Sequence, residues 1–265
     1  MVNSKIYVVT HKPFALTRKM KEKGYELITV GNQIKSNEGV LDSDGNDNIA
    51  LKNSNYCELT AVYWIWKNVK APIKGFCHYR RYFTHNTLKY NEEKILSNLE
   101  AEKLLDENSI ILPEKKYYNM SSEDLYLKCG YKKDLETTRQ VISEKYPDYV
   151  NQWDKMMSNN SGYITNMMLC RADVFDKYCK WLFDILFEVE YRSDISGYTR
   201  EEARIYGYIS ERLLGVWVEH NYLNVKEFQS INPEKDFGLR FLIYRISMKL
   251  GIYKTIKTIM RKIKR

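Results

Sequence analysis

The sequence lacks the short motifs that mark several catalytic and metal-binding classes. It contains no P-loop, no G-x-S-x-G elbow and no H-E-x-x-H pair, which argues against a phosphate-binding hydrolase. Its five cysteines are an odd number without C-x-x-C spacing, a pattern that favours a reducing compartment over a disulfide framework or a zinc site. No charged region followed by a long apolar segment opens the chain, so we expect no signal peptide.

The chain does have enough apolar material for an α/β core. Its 265 residues are 44% hydrophobic and 14% aromatic, which predicts one large α/β domain or two small ones and argues against disorder. A β-rich run at residues 5–10, a short helix at 15–24 and a second strand at 25–30 predict a parallel βαβ unit. The carboxyl end of its first strand carries Thr10, His11 and Lys12.

The net charge of +8 is concentrated at the C-terminus. Residues 239–265 contain nine Lys or Arg and no carboxylate, whereas residues 1–238 carry 33 bases against 34 acids. Apolar residues recur in this segment at steps of three and four, which predicts a basic amphipathic helix on an anionic membrane surface. A helix packed on the domain with a solvated basic face is the alternative. Nucleic-acid binding is disfavoured, because aliphatic rather than stacking aromatic side chains accompany the cations.

Residues 76–83, which read Phe-Cys-His-Tyr-Arg-Arg-Tyr-Phe, are the strongest candidate for a binding site. They end an apolar run at 71–77 that predicts a buried strand. Ligands of open α/β sheets bind outside the carboxyl ends of strands, and guanidinium forks match phosphate oxygens. We therefore expect His78, Arg80 and Arg81 to form an anion receptor; the alternative is a solvated turn with paired arginines.

A polar loop at residues 39–48 contains an Asp-x-Asp pair, Asp42 and Asp44. Such a pair can hold a divalent cation on a diphosphate, so a metal site is one hypothesis. The other is an ordinary turn, since Asp, Asn, Gly and Ser are typical turn residues and the loop precedes a helix rather than ending a buried strand. We favour the turn and expect no metal cofactor.

The next segment, residues 48–68, predicts one N-capped helix with a densely aromatic second half, which we expect to be core. We do not expect its polar edge to be core, because polar groups on so apolar a helix must either be hydrogen-bonded within the protein or have a role in a site. That edge consists of Asn48, Lys52, Asn55 and Glu58.

The block from residue 47 to residue 83 also carries a family resemblance. It includes Asp47-Asn48-Ile49, Asn55-Tyr56-Cys57-Glu58-Leu59-Thr60-Ala61, Trp66-Lys67-Asn68 and Cys77-His78-Tyr79-Arg80-Arg81-Tyr82-Phe83. This block resembles the bacterial capsular and exopolysaccharide glycosyltransferases grouped as domain of unknown function 4422. The resemblance runs from about residue 5 to residue 230, with later matches at Asn166-Met167-Met168 and Ser210-Glu211-Arg212-Leu213-Leu214.

The resemblance implies a GT-A-like fold, a Rossmann-related mixed α/β sheet flanked by helices, over residues 1–236. It implies transfer of a sugar from a nucleotide-sugar donor, with UDP favoured and galactofuranose a candidate sugar, to a lipid-linked oligosaccharide. The location would be cytoplasmic, on the inner face of the bacterial plasma membrane, with residues 237–265 as the membrane-associating tail. The competing hypothesis is a non-catalytic membrane-peripheral scaffold with the same fold.

Glycosyl transfer requires stabilisation of the leaving nucleoside diphosphate, by a metal or by fixed cations. In GT-A enzymes the metal-binding Asp-x-Asp ends a core strand, whereas here that strand ends in His78-Tyr79-Arg80-Arg81. We therefore expect the two arginines to replace the metal. The residues expected to bind the donor are Thr10, His11, Lys12, Asn48, Lys52, Asn55, Glu58, His78, Arg80, Arg81, Asn166 and Arg212.

An inverting transferase also needs a carboxylate that takes the proton of the acceptor hydroxyl. Glu211, in a predicted helix over 208–218, is the candidate, and Asp194 is the runner-up. The alternative for Glu211 is a buried structural ion pair with Arg212. A retaining enzyme would need no such base.

The remaining segments predict further α/β elements. A tyrosine-rich insertion over 114–160 could hold an acceptor sugar or pack as ordinary helices, and we favour ordinary packing. The predicted elements are a helix at 92–108, strands at 109–113 and 163–170, and a helix at 175–189.

Overall fold

The structure, a computed structural model, describes residues 4–31, 38–234, 243, 246–247 and 250–252. The strands in this part of the chain are β1 Lys5–Thr10, β2 Tyr25–Thr29, β3 Val40–Leu41, β4 Ile73–His78, β5 Tyr82–Thr84, β6 Ile110–Pro113, β7 Lys116–Tyr117, β8 Ser161–Gly162, β9 Met168–Arg171 and β10 Val225–Ile231. The α-helices are α1 Arg18–Glu22, α2 Asn53–Tyr56, α3 Leu59–Asn68, α4 Asn98–Leu104, α5 Ser122–Tyr126, α6 Lys132–Lys145, α7 Val150–Ser158, α8 Ala172–Arg192 and α9 Ile205–His220.

Eight of the described strands form one mixed sheet, in the order β3-β2-β1-β4-β9-β6-β10-β5. β1 is parallel to β2 and β4, which confirms the predicted βαβ opening. β9 is antiparallel to both of its neighbours, β4 and β6, and β6 is parallel to β10. Because β9 reverses the direction once on each side, β1, β4, β6 and β10 all point the same way. Their carboxyl ends therefore lie along the same border of the sheet, at the ends of the strands, and we call this border the carboxyl edge.

Both faces of the sheet are buried, and the alternation of side chains along β1 shows how. Tyr7 and Val9 pack into a core that also contains apolar residues of α3, α6, α7, α8 and α9. Ile6 and Val8 point to the opposite face, where α1, α4 and β5 contribute the second core. Side chains of successive strand residues alternate between faces, so a strand covered on both sides is apolar at nearly every position. This explains the unbroken apolar runs of the sequence.

The segment predicted as one helix over residues 48–68 is broken at Cys57. A 3₁₀ turn at Ala50–Lys52 leads into α2, and two residues, Cys57 and Glu58, separate α2 from α3. Cys57 has φ 53° and ψ −130°, a conformation that is strained for any residue with a side chain. The Asn53 side chain donates to Cys57 O at 2.8 Å and holds the break closed. Helical periodicity does not indicate such a break, so the prediction of a continuous helix was wrong.

The other predicted elements are present with changed bounds: the strand predicted over 163–170 is β9 at Met168–Arg171, and α8 and α9 are longer than the helices predicted over 175–189 and 208–218. The helix predicted over 92–108 is a 3₁₀ turn at Glu92–Lys94 followed by α4, which is capped by the Ser97 side chain. The insertion at 114–160 is mainly helical, as favoured. The division into residues 1–236 and 237–265 stays a prediction, because most of the tail lies outside the described residues. Among the residues that the structure describes, no helix is long and apolar enough to cross a membrane.

Candidate functional site

The carboxyl edge collects polar side chains from segments far apart in the sequence. β1 is followed by His11 and Lys12, β4 by the turn to Arg81, β6 by Lys116 and β10 by Glu234. Asn166 precedes β9, which runs the opposite way and so begins at this same edge. We call the following residues the edge cluster: His11, Lys12, Glu58, His78, Arg80, Arg81, Lys116, Asn166, Arg204 and Glu211.

A tight turn sends the two adjacent arginines to different partners. His78 N donates to Arg81 O at 3.2 Å, and Arg81 N donates to His78 O at 2.9 Å. Arg80 at the tip of the turn is exposed; its guanidinium lies 4.9 Å from the centre of the Tyr79 ring and 3.8 Å from Glu234. Arg81 is half-buried and interacts electrostatically with His78, Lys116 and Glu211. The two predicted arginines therefore occupy separate positions, which we call the outer position, at the exposed Arg80, and the inner position, at the half-buried Arg81.

Lys12 joins Arg80 at the outer position. Its Nζ lies 4.8 Å from the centre of the Tyr79 ring, on which Arg80 also packs, and 3.7 Å from Glu234. Both ion pairs to Glu234 are exposed and long, so each contributes less than about 1 kcal/mol to stability.

The inner position is organised by Asn166, which is buried. His78 Nε2 donates to Asn166 O at 2.8 Å, and Asn166 Nδ2 donates to Glu58 Oε1 at 2.7 Å and to Ser210 Oγ at 2.9 Å. Asn166 therefore holds the His78 imidazole and the Glu58 carboxylate in place relative to Ser210 of α9.

Glu58 reaches this position because of the strained residue before it. Cys57 ends α2, and its left-handed backbone turns the chain so that Glu58 precedes α3 at the carboxyl edge. Arg204 Nε donates to Cys57 Sγ at 3.1 Å, which links this turn to the segment before α9. Strained backbone persists only where surrounding contacts hold it, and it is frequent at functional sites.

Both histidines of the edge cluster are neutral near pH 7. Burial lowers the pKa of His78; the Glu58 carboxylate opposes this shift and the Arg81 charge adds to it. Desolvation lowers the pKa of His11, and the charges of Arg80 and Lys12 lower it further. Since an ordinary histidine has a pKa near 6.5, a downward shift leaves each imidazole uncharged at neutral pH.

Glu211 and Lys116 are an acid and a base of the inner position whose pKa values are both shifted. Burial raises the pKa of Glu211; Arg212 opposes this, the Glu58 carboxylate adds to it, and Lys116 and Arg81 oppose it. Burial next to Arg81 lowers the pKa of Lys116 to about 8, against the opposing charge of Glu211. Paired groups whose pKa values move toward neutrality are typical of sites that bind charged ligands or transfer protons.

Several residues predicted to bind the donor have structural contacts instead. Thr10 is buried, and its hydroxyl closes the turn onto Lys12 O at 2.8 Å. Asn48 Nδ2 donates to Ser43 O and Gly45 O within the polar loop. Lys52 pairs with Glu190 at 2.6 Å, and Asn55 Nδ2 donates to Ala203 O at 2.8 Å, beside Arg204. The structure shows these contacts within the protein, and donor binding by these residues stays a prediction.

Neither Arg212 nor Asp194 is part of the edge cluster: Arg212 pairs with Glu211 at 3.5 Å but is buried, and Asp194 is on the loop after α8. The Arg212 side chain is 3% exposed, donates to Tyr208 O at 2.7 Å and packs on the Tyr126 ring at 5.2 Å, so it is inaccessible to a diphosphate. Asp194 is in the exposed loop after α8, where it accepts from Ser196 N at 2.9 Å. That bond lowers its pKa, which makes Asp194 a weaker base than Glu211.

The Asp-x-Asp pair is engaged by protein groups. Asp42 is buried and accepts from the Thr60 hydroxyl at 2.5 Å, whereas Asp44 accepts from Leu41 N at 2.8 Å. Within the described ranges, no group of three His, Cys, Asp or Glu side chains is arranged to hold a metal ion. Both carboxylates are therefore held by groups of the loop and of α3, and the expectation of no metal cofactor stays a prediction.

Two members of the edge cluster, Lys116 and Arg204, were absent from the sequence-based set. Lys116 lies three residues after β6, so the carboxyl-end rule applied to β1 and β4 would have found it. Arg204 comes from a 3₁₀ turn at Glu202–Arg204, and its approach to Cys57 depends on tertiary packing that no sequence pattern indicates.

The fold and the edge cluster together define a mixed α/β protein with a polar, cation-rich site at the carboxyl edge of its sheet. The family described as Domain of unknown function (DUF4422) matches residues 5–222 of this chain. The protein belongs to this family, which confirms the family assignment, whereas the capsular and exopolysaccharide context stays a prediction.

Among solved structures, the chain is similar to the WbbM bifunctional glycosyltransferase in its apo structure, with a TM-score of 0.76 and 29% identity. The similarity covers 88% of this chain and 46% of that chain, so this protein spans about half the length of WbbM. The mannosyltransferase Ktr4p from S. cerevisiae matches at 12% identity and a TM-score of 0.32, over 72% of this chain and 63% of that chain. That score is too low to carry an argument. No curated protein matches the chain. The WbbM similarity confirms the predicted glycosyltransferase-like fold.

Proposed function

We propose that this protein is a glycosyltransferase that moves a sugar from a nucleoside-diphosphate donor to a glycan acceptor. The observation that carries the proposal is the convergence of cations with Glu211 at the carboxyl edge of a fold similar to WbbM. Fixed cations suit a leaving group whose negative charge grows in the transition state. A half-buried carboxylate with a raised pKa suits the general base.

In this proposal Glu211 removes the proton from the acceptor hydroxyl while its oxygen attacks the anomeric carbon. The bond from the anomeric carbon to the diphosphate oxygen breaks on the opposite side, and its electron pair leaves with the nucleoside diphosphate. The half-buried Arg81 is placed to neutralise the charge that develops on that diphosphate, in place of a divalent metal. Configuration at the anomeric carbon is inverted.

The finer assignments are proposals that rest on the family resemblance. The donor nucleotide is UDP, with galactofuranose or another hexose as the sugar, and the acceptor is a lipid-linked oligosaccharide of capsular, exopolysaccharide or O-antigen synthesis. The location is the inner face of the bacterial plasma membrane. The nine Lys and Arg of residues 239–265, with no carboxylate among them, support attraction to anionic lipid.

A thermal-shift screen against UDP, GDP, CMP and dTDP, with manganese or with EDTA, tests the donor class. At a hundredfold excess over Kd, a ligand of the folded state adds about 2.7 kcal/mol of stability. For a chain of this size that corresponds to a rise in Tm of roughly 5 to 10 °C. We expect UDP to give this rise equally in EDTA, and Arg81→Met to abolish it.

Arg171→Met is the matched control, because Arg171 ends β9 at the opposite edge of the sheet and pairs with the exposed Asp106. Transfer is then measured with radiolabelled sugar nucleotide and lipid-linked acceptor. Activity that EDTA removes and manganese restores would contradict the replacement of a metal by fixed cations. No thermal shift with any nucleotide, together with no transfer, would favour the scaffold hypothesis.

A further inference from the structure

Lys116 is a cation of the inner position that was not among the residues predicted to bind the donor. It is in β7, three residues after the end of β6, and its backbone pairs with Gly162 of β8. Its side chain is half-buried at the inner position of the edge cluster. The charged or titratable groups that interact with it in the described structure are Arg81 from the β4–β5 turn, His78 from β4 and Glu211 from α9.

The charge balance of this position is unfavourable without a ligand. Arg81 and Lys116 are two cations in a partly desolvated space, and His78 is neutral near pH 7. The Glu211 carboxylate interacts electrostatically with both cations, but it also pairs with Arg212. Lys116 has no carboxylate within 4 Å among the described residues, unlike the outer pair Lys12 and Arg80, which shares Glu234. Like charges that are held together and partly buried need an anion to offset them.

We propose that Lys116 and Arg81 are the cation pair that binds the donor diphosphate, and that Arg80 lies outside this pair. The inference rests on the proposed transferase function. It deepens that function by assigning the diphosphate to residues from two different strand ends, after β4 and after β6. A diphosphate between them would be bound by one guanidinium fork and one ammonium, a combination suited to phosphate oxygens.

If this assignment is right, binding of a diphosphate should be coupled to the uptake of a proton by Lys116. In the free protein, burial beside Arg81 lowers the pKa of Lys116 to about 8. A bound diphosphate would raise that pKa, because an adjacent anion favours the charged ammonium. Binding should therefore be tightest below pH 8 and weaken as the pH rises through 8. If the charged form is required, Kd should increase about tenfold between pH 7 and pH 9.

Isothermal titration calorimetry of the full chain with UDP, GDP and dTDP, all of which carry the diphosphate, tests the assignment. The variants are Lys116→Met, Lys116→Arg and Arg80→Met. Lys115→Met is the matched control, because Lys115 is the adjacent residue but packs its ammonium 5.1 Å from the Tyr163 ring instead. Tm values without ligand check that each variant is folded.

We expect Lys116→Met to weaken binding of the tightest nucleotide at least tenfold at pH 7, and Arg80→Met and Lys115→Met to change it less than threefold. Lys116→Arg, whose charge persists at all of these pH values, should keep the affinity and lose its dependence on pH. In the wild type, titrations at pH 8 in two buffers should show uptake of about half a proton per nucleotide bound.

Two outcomes separate the failure of this inference from that of the proposed function. If the wild type binds a nucleotide and Lys116→Met binds it equally well, or if Arg80→Met causes the larger loss, the Lys116 assignment is refuted and the transferase proposal stands. If the wild type binds none of the three nucleotides, both are overturned.

Discussion

Substitution of Asn166 by Ala should test whether this residue holds the inner position together. The change removes the 2.7 Å bond to Glu58 and the 2.9 Å bond to Ser210, and it keeps the backbone carbonyl that accepts from His78. A hydrogen bond to a charged group contributes about 1.5–3 kcal/mol and a neutral one about 0.5–1.5 kcal/mol. Ser210 still donates to Gly207 O at 2.8 Å, and Asn166 Oδ1 has no partner in the described part of the chain, so neither adds a further cost.

The expected loss in the free energy of unfolding is therefore about 2–4.5 kcal/mol. For a domain of this size that lowers Tm by roughly 5 to 15 °C. Urea unfolding at pH 7 measures the first quantity and a thermal scan the second. Asn221→Ala is the matched control: the Asn221 side chain also makes two hydrogen bonds, but it is exposed and neither partner is charged, so its loss should stay near 1 kcal/mol or below.

A second variant makes the test of Asn166 independent of cavity effects. Asn166→Asp is nearly isosteric but places a second carboxylate against Glu58, so at pH 7 it should destabilise more than Asn166→Ala. Its deficit should shrink as the pH falls and one carboxylate of the pair takes a proton. A loss below about 0.5 kcal/mol for Asn166→Ala, or an Asn166→Asp deficit that does not depend on pH, would refute the reasoning.

Three further predictions concern the base, its neighbour and the tail. Glu211→Gln should lower kcat by a factor of about 10² to 10⁴ with little change in nucleotide Kd. Because burial raises the pKa of Glu211, kcat of the wild type should fall on the acid side of its pH profile at a pH above the ordinary glutamate pKa near 4.3. Arg212→Met leaves Glu211 without its ion-pair partner and should cost about 3 kcal/mol of stability in urea unfolding. Deletion of residues 239–265 should abolish co-sedimentation with vesicles that contain anionic lipid and should leave nucleotide binding unchanged.

Each of these has a direct contrary outcome. A Glu211→Gln variant with full kcat would remove the proposed base, and an acid limb at the ordinary glutamate pKa would contradict the effect of burial. An Arg212→Met variant that loses nucleotide affinity but keeps its stability would place Arg212 in the site after all. Salt-independent vesicle binding by the truncated chain would show that the domain itself contacts lipid.

Five of the eight strands in the main sheet could be predicted from short apolar runs, whereas β3, β5 and β10 were not predicted. The run at Lys5–Thr10 is apolar and β-branched, and its predicted bounds match β1. The helix over 48–68 was not predictable in detail, since its break depends on Cys57 adopting a left-handed backbone that sequence patterns assign to glycine. Secondary structure can thus be inferred from periodicity, whereas a strained turn depends on the contacts around it.

The site was predictable where a residue directly follows a core strand and unpredictable where packing decides. His78 and Arg81 lie at the carboxyl edge as expected from the strand before them. The sequence did not indicate that the turn between His78 and Arg81 directs Arg80 outward to Glu234. Nor could the sequence distinguish the accessible Glu211 from its buried neighbour Arg212, whose side-chain exposures are 21% and 3%.

The contact of Glu234 with Lys12 and Arg80 has a consequence for where the tail starts. Glu234 follows β10 at the carboxyl edge, and residue 239 is only five residues further along the chain. A fully extended chain spans at most about 3.5 Å per residue, so a membrane that binds residue 239 would hold Glu234 within roughly 18 Å of that attachment. Membrane binding by residues 239–265 would therefore hold the carboxyl edge of the sheet close to the membrane. A lipid-anchored acceptor diffusing in that membrane would meet the donor in two dimensions, at a local concentration set by the short tether rather than by the surrounding solution.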